Sequence, residues 1–187
     1  MAQQLELIQL IPVSLYGVDE ERLEQFYLEL PSLVEDVYSD REYQKTLFAI
    51  SGDDAMEHLS HADMWAGNPP LALTEDVAME VSMALQTVKY PDVGMLEHLL
   101  TLEGIDVQRV SIWMHFSTNV YPIYTKQACQ TLDDIGLPTP FEPDDIASYG
   151  LYVARLEGLK LHAPATGMPE IGLPRARILQ LGLERFE

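Results

Sequence analysis

With a single cysteine, Cys129, the chain cannot close a disulfide on itself, so packing must hold its fold together. No apolar run approaches the ~20 residues that a membrane helix requires. The opening MAQQLELIQLIPVSL places no Lys or Arg ahead of its apolar residues, as a secretory signal would. Together these absences predict a cytoplasmic chain without membrane contact. Positive charge is also scarce: 11 Lys and Arg face 30 Asp and Glu, leaving a formal net charge of −19. A surplus of that sign repels phosphate and anionic lipid at long range. Nucleic acid is then an expected partner only if a local basic groove offsets the total. Neither HExxH nor CxxC occurs, and no cofactor is implied.

Apolar side chains are plentiful. They make up 47% of 187 residues, enough to exclude general disorder and to fill one core. Their spacing is helical nearly throughout. Asp19 can cap a helix through EERLEQFYLEL, ended by Pro31, and a second helix is expected over residues 32–50, stopped by Gly52. A third covers residues 53–65, and Thr74 caps EDVAMEVSMALQTV. Further helices are expected over residues 93–102, 107–116 and 123–135, the last stopped by Gly136. EPDDIASYGLYVARLEGL and, after Pro174, RARILQLGLERF complete the set. Only LELIQLIPV, near the start, could be extended. The expected fold is all-α: an orthogonal bundle of about eight helices in a single domain, with an acidic front lobe over 17–70 and a core over 74–160.

The most informative stretch is LLTLEGIDVQR, residues 99–109, followed by VSIWMHF and YPIYTKQACQTLDDIG. Leu99, Leu102, Gly104 and Ile105 fit an apolar-x-x-apolar-x-Gly-apolar turn, and Val110, Ile112, Trp113 and Phe116 supply an apolar second helix. In such a turn the glycines let backbone N–H groups approach a phosphate oxygen. Over roughly residues 92–158 this pattern resembles the helix-hairpin-helix DNA base-excision glycosylases. The resemblance implies a DNA-glycosylase-like core, a link to DNA repair, and a phosphate site at Leu102, Gly104, Ile105, Asp106 and Arg109. It also locates what is missing. The second hairpin glycine is Asp106, whose carboxylate would face the phosphate, so Asp106→Gly is expected to gain duplex affinity. The lysine of the bifunctional members falls at Gln108, and their aspartate at Thr125 or Lys126 after Pro122, Ile123 and Tyr124. None of these residues can do the corresponding chemistry, so no glycosylase activity is expected. Trp113 and Phe116 are expected to bury against Leu99 and the helix over 123–135.

Other residues carry weaker chemistry. Trp113, His115, Tyr121, Tyr124, Thr125 and Lys126 would border the base pocket of a glycosylase-like cleft, although aromatics at helical spacing more often pack between helices. His58 and His61, three apart on one helix, could hold a metal only with a third ligand from elsewhere, and otherwise share a solvated face. Cys129, between Ala128 and Leu132, suits packing better than nucleophilic catalysis. Arg175, Arg177 and Arg185 suit surface ion pairs.

The distribution of charge is uneven. Residues 17–63 hold thirteen acids, among them Glu35, Asp36, Asp40 and Glu42, against Arg22, Arg41 and Lys45. The leading expectation is a catalytically lapsed, glycosylase-like binding or interaction module, with weak or no DNA affinity and a protein partner on this acidic front. Two alternatives stand beside it. One is an enzyme using His115, Tyr124, Thr125 and Lys126 in the inter-helical cleft; the other is an acidic, DNA-mimicking protein ligand.

Overall fold

The computed structural model describes residues 11–37, 40–49 and 54–187, and these form eight α-helices with two short 3-10 helices and no strand. The helices are α1 (Glu20–Leu33), α2 (Arg41–Ala49), α3 (Ala55–Ala66), α4 (Glu75–Thr87), α5 (Val107–Thr118), α6 (Lys126–Asp134), α7 (Ile146–His162) and α8 (Arg175–Arg185). The 3-10 helices cover Val13–Leu15 and Gly94–Thr101. The all-α expectation therefore stands for the described residues. The extended reading of residues 5–13 lies outside them up to residue 10 and is corrected at its end, where Val13 opens a 3-10 helix; Ile50, Gly52 and Asp53 also lie outside the described residues.

Side-chain caps set most of the helix starts. Asp19, Asp54, Thr74, Asp106, Thr125 and Asp145 each accept backbone N–H bonds at the first turn of α1, α3, α4, α5, α6 and α7. Asp40 does the same ahead of α2 by accepting from Tyr43 N at 3.0 Å.

Several expected boundaries shift. Pro31 lies inside α1, where its missing N–H costs one bond of the last turn and the helix runs on to Leu33. The helix expected over 32–50 is split, because residues 34–37 form a turn and Asp40 starts α2 afresh. The segment before the hairpin is a 3-10 helix, and α6 begins at Lys126 because Thr125 is its cap.

The core is continuous from front to rear. α3 packs on α4 and α5, and α8 packs on α1, α6 and α7. From Arg109 through Phe116 every residue of α5 is buried, which explains why that stretch shows no solvated face. The tyrosines of α7 tie down the connection into α6: Tyr149 Oη donates to the Pro122 carbonyl (3.0 Å) and Tyr152 Oη to that of Ile123 (3.1 Å).

Helix α8 approaches α1 closely at Gly182. A methyl group built there would collide with Leu30 Cδ1 and stand 3.3 Å from Phe26 Cε2, both in the core. Alanine favours a helix over glycine by ~1 kcal/mol, whereas overpacking a filled core costs ~1–3 kcal/mol. Gly182→Ala is expected to lower unfolding free energy by up to about 2 kcal/mol in urea titrations. A stabilised variant would show that the α1–α8 contact has slack.

Candidate functional site

Residues 102–106 form a turn between the 3-10 helix over Gly94–Thr101 and α5. Gly104 takes φ +80°, Ile105 is buried, and Asp106 opens α5. A side chain at 104 would be strained by that φ and would also meet Leu71 Cδ2 at 2.7 Å.

The polar groups of this turn are committed to the fold. Asp106 Oδ1 accepts from Arg109 N at 2.8 Å, so the carboxylate is the α5 cap. Arg109 is 5% exposed. Its Nη1 donates to the Gly104 carbonyl (2.5 Å), its Nη2 to the Pro69 carbonyl (2.6 Å), and its Nε to Asp63 Oδ1 (3.2 Å). That corrects the expectation of a phosphate contact at Arg109, because each guanidinium nitrogen is buried and bonded to an acceptor of the protein.

Asp63, on α3, is the hub of this network. Its Oδ1 also accepts from Trp113 Nε1 (3.1 Å) and Asn68 Nδ2 (3.2 Å). Burial pushes the Asp63 carboxyl upward, while Asn68, Arg109 and Trp113 pull it back. The network thus joins α3, α5, the turn and the 67–70 loop. Beside it a cavity of about 220 Å³ is lined by Leu59, Ser60, Asp63, Asn68 and Leu71, among others. None of the expected cleft residues lines it.

Those cleft residues are mostly core. Trp113, His115, Tyr121 and Tyr124 are at most 1% exposed. His115 Nδ1 lies 2.8 Å from the Tyr121 carbonyl and must donate to it, so Nε2 accepts from Tyr43 Oη, also at 2.8 Å. Burial, with Arg177 nearby, drives the imidazole down to about 4 against the opposing bond to Tyr121. It is therefore neutral at pH 7. Tyr124 Oη donates to the Pro140 carbonyl, and its ring lies 4.7–5.5 Å from Phe141, Tyr149 and Tyr152. Thr125 caps α6, and only Lys126 of the set is exposed. The enzyme alternative loses its acid–base pair, because His115 and Tyr124 have their polar atoms committed inside the core.

Phe116 is buried as expected, but its ring partners are Tyr43 (5.4 Å), Trp65 (5.0 Å) and His115, which brings in α2 and α3. His58 Nε2 lies 3.1 Å from Ser117 Oγ, and among the described residues no three metal-ligating side chains gather. Burial raises the Cys129 thiol to about 12, which leaves no thiolate for chemistry. Arg177 departs from the surface-pair expectation. It is buried between the rings of Tyr43 (5.3 Å) and Trp65 (5.1 Å), with Nη1 on Gln180 Oε1.

On the acidic front, Glu20, Glu21, Glu24, Glu35, Asp36 and Glu42 are exposed. Asp36 pairs with Arg185 and Glu42 with Lys45, both at 2.6 Å on the surface. Comparison with known proteins adds no relative: no protein-family model, curated protein or solved structure matches this chain. No described helix is long and apolar enough to cross a membrane.

Proposed function

We propose that this chain is a non-catalytic interaction module that engages a basic protein surface through its acidic front. In this reading it keeps a glycosylase-like turn without the chemistry or the phosphate site. The observation that carries the proposal is the burial of Arg109. The one cation of the turn is buried and bonded to Asp63, Gly104 and Pro69, while the exposed charge over residues 17–63 is mainly carboxylate. Exposed carboxylates accelerate encounter with a cationic surface and repel a polyanion.

The test compares a duplex of about 20 base pairs with an oligolysine of similar charge magnitude, both at low salt. Duplex affinity should be weaker than ~100 µM, the loose end of ordinary non-specific binding. Oligolysine should bind, and should weaken as salt rises or when Glu35 and Glu42 become lysine. Asp106→Gly, expected from sequence to rescue a phosphate site, should leave duplex affinity unchanged and cost only a few tenths of a kcal/mol, since glycine is a tolerable cap. Micromolar duplex binding, or release of free base from a lesion-bearing duplex, would overturn the proposal.

A further inference from the structure

A wide depression lies away from the 102–106 turn, between α1 and the loop that follows α7. Its volume is about 1280 Å³. One wall is a single face of α1, with Glu20, Glu24, Leu28 and Pro31 at helical spacing. The loop bearing Pro164, Thr166 and Gly167 lines it as well, together with Tyr16. Leu23 and Tyr27 form the floor, and Tyr27 Oη donates to the Leu159 carbonyl at 2.7 Å, fixing α1 against the end of α7.

Two properties say what would fill it. The groove presents apolar side chains that have no cover: Leu28 is 75% exposed and Tyr16 is 86% exposed. Apolar surface gathered in a concavity and rimmed by charge marks a docking site more often than scattered exposure does. Its charge has one sign. Glu20, Glu21 and Glu24 border it, and no lysine or arginine is among its described lining residues. The cation on this part of α1, Arg22, is engaged elsewhere, with its guanidinium 4.7 Å from the Phe186 ring centre and bonded to Gln25. Size argues against a small molecule, since such pockets enclose their ligand in ~300–1,000 Å³ and this one is larger and open.

We infer that this groove binds a basic amphipathic helix of a partner protein, with an apolar side chain seated against Tyr16, Tyr27 and Leu28 and lysines or arginines over Glu20, Glu21 and Glu24. The inference rests on the reading of the chain as an interaction module and adds the site and the form of the partner. Helix-in-groove recognition uses anchors at i, i+3, i+4 and i+7, and one exposed helical face beside a loop wall offers them a matching trough.

The probe is a peptide of about 18 residues with leucine at i, i+3, i+4 and i+7 and lysine elsewhere. It is compared, on the full chain, with a scrambled version and with oligolysine of equal charge. The amphipathic peptide should bind at least ~10-fold more tightly than either control. Leu28→Glu, at a solvent-facing position that does not threaten folding, should remove that advantage and leave oligolysine binding as it was. Glu20→Lys with Glu24→Lys should weaken the amphipathic peptide by ~10-fold or more and flatten its salt dependence.

If oligolysine binds equally well, or Leu28→Glu changes nothing, the groove assignment is overturned while the acidic-front reading survives. If neither cationic probe binds, both fall. Two other occupants would show themselves. A chain that binds the peptide only after removal of residues 1–10 fills the groove with its own segment. A dimer that Leu28→Glu converts to monomer in sedimentation fills it with a second copy. Either result overturns the partner assignment.

Discussion

Replacing Asp63 with alanine is expected to cost roughly 3–5 kcal/mol of unfolding free energy, the range for breaking a buried ion pair from one side. Asp63 is 6% exposed and Arg109 5%, so neither can turn to water for compensation. Alanine would leave Arg109 Nε, Trp113 Nε1 and Asn68 Nδ2 without their acceptor, and a guanidinium charge without its counter-ion. For a chain of this length each kcal/mol moves Tm by ~2–4 °C, so a fall of roughly 6–20 °C should appear in thermal unfolding. Combining Asp63→Ala with Arg109→Met should return part of the loss, because removing both charges avoids the uncompensated one. A single-variant loss under ~1 kcal/mol would mean that water already reaches the pair.

How far this network could be seen in the sequence is instructive. Residues 59, 62, 63 and 66 follow the i, i+3, i+4, i+7 spacing of a buried stripe, and the acid at 63 interrupts it among Leu59, Ala62 and Ala66. A carboxylate on an apolar stripe implies a buried partner, yet among thirteen acids Asp63 reads as one more surface charge. Its partner is 46 residues away on α5, beyond the reach of any local pattern. Arg109 was legible as the cation of the turn; its direction was not, because that depends on carbonyls at Gly104 and Pro69 that only the folded chain brings together.

Capping chemistry was the most legible feature. Asp19 and Thr74 start helices where the sequence places them, and Gly67 and Gly136 take positive φ just after α3 and α6. Pro31 and Asp40 escape the sequence pattern for a shared reason. A proline in a last turn and an aspartate between helical patterns each act through a single backbone bond, which apolar periodicity does not register. The groove on α1 escaped the sequence because Leu28 looks like one more residue of an amphipathic helix. Its exposure is decided by where the loop after α7 runs.

Acidification should destabilise the protein between pH 6.5 and 4 through His115. In the folded state the imidazole is held down to about 4, whereas in the unfolded chain it returns to its ordinary value of 6.5. Between those values the unfolded state binds a proton that the native state refuses, so unfolding free energy rises with pH across the window and is lost as pH falls. At ~1.4 kcal/mol per pH unit the loss amounts to roughly 3 kcal/mol. The first cause is burial, which penalises the charged ring. Nδ1 is occupied donating to the Tyr121 carbonyl, so a second proton must go on Nε2, where Tyr43 Oη already donates and Arg177 stands close. Of the carboxylates held low by hydrogen bonds or ion pairs, Asp36 and Asp145 act below this range and Glu157 from its ordinary 4.5 downward, Asp63, raised by burial, opposes the loss, and His58, also lowered by burial, contributes in the same direction as His115. His115→Gln isolates the effect: whatever its stability at pH 7, its decline from pH 6.5 to 4 should be shallower than that of the unmodified chain by up to ~3 kcal/mol. Independently of folding, the His115 ring proton resonance should stay in its neutral position from pH 7 to 5. A titration near 6.5 would mean that Tyr43 turns its hydroxyl to accept, and that the α2–α5 contact is softer than its geometry indicates.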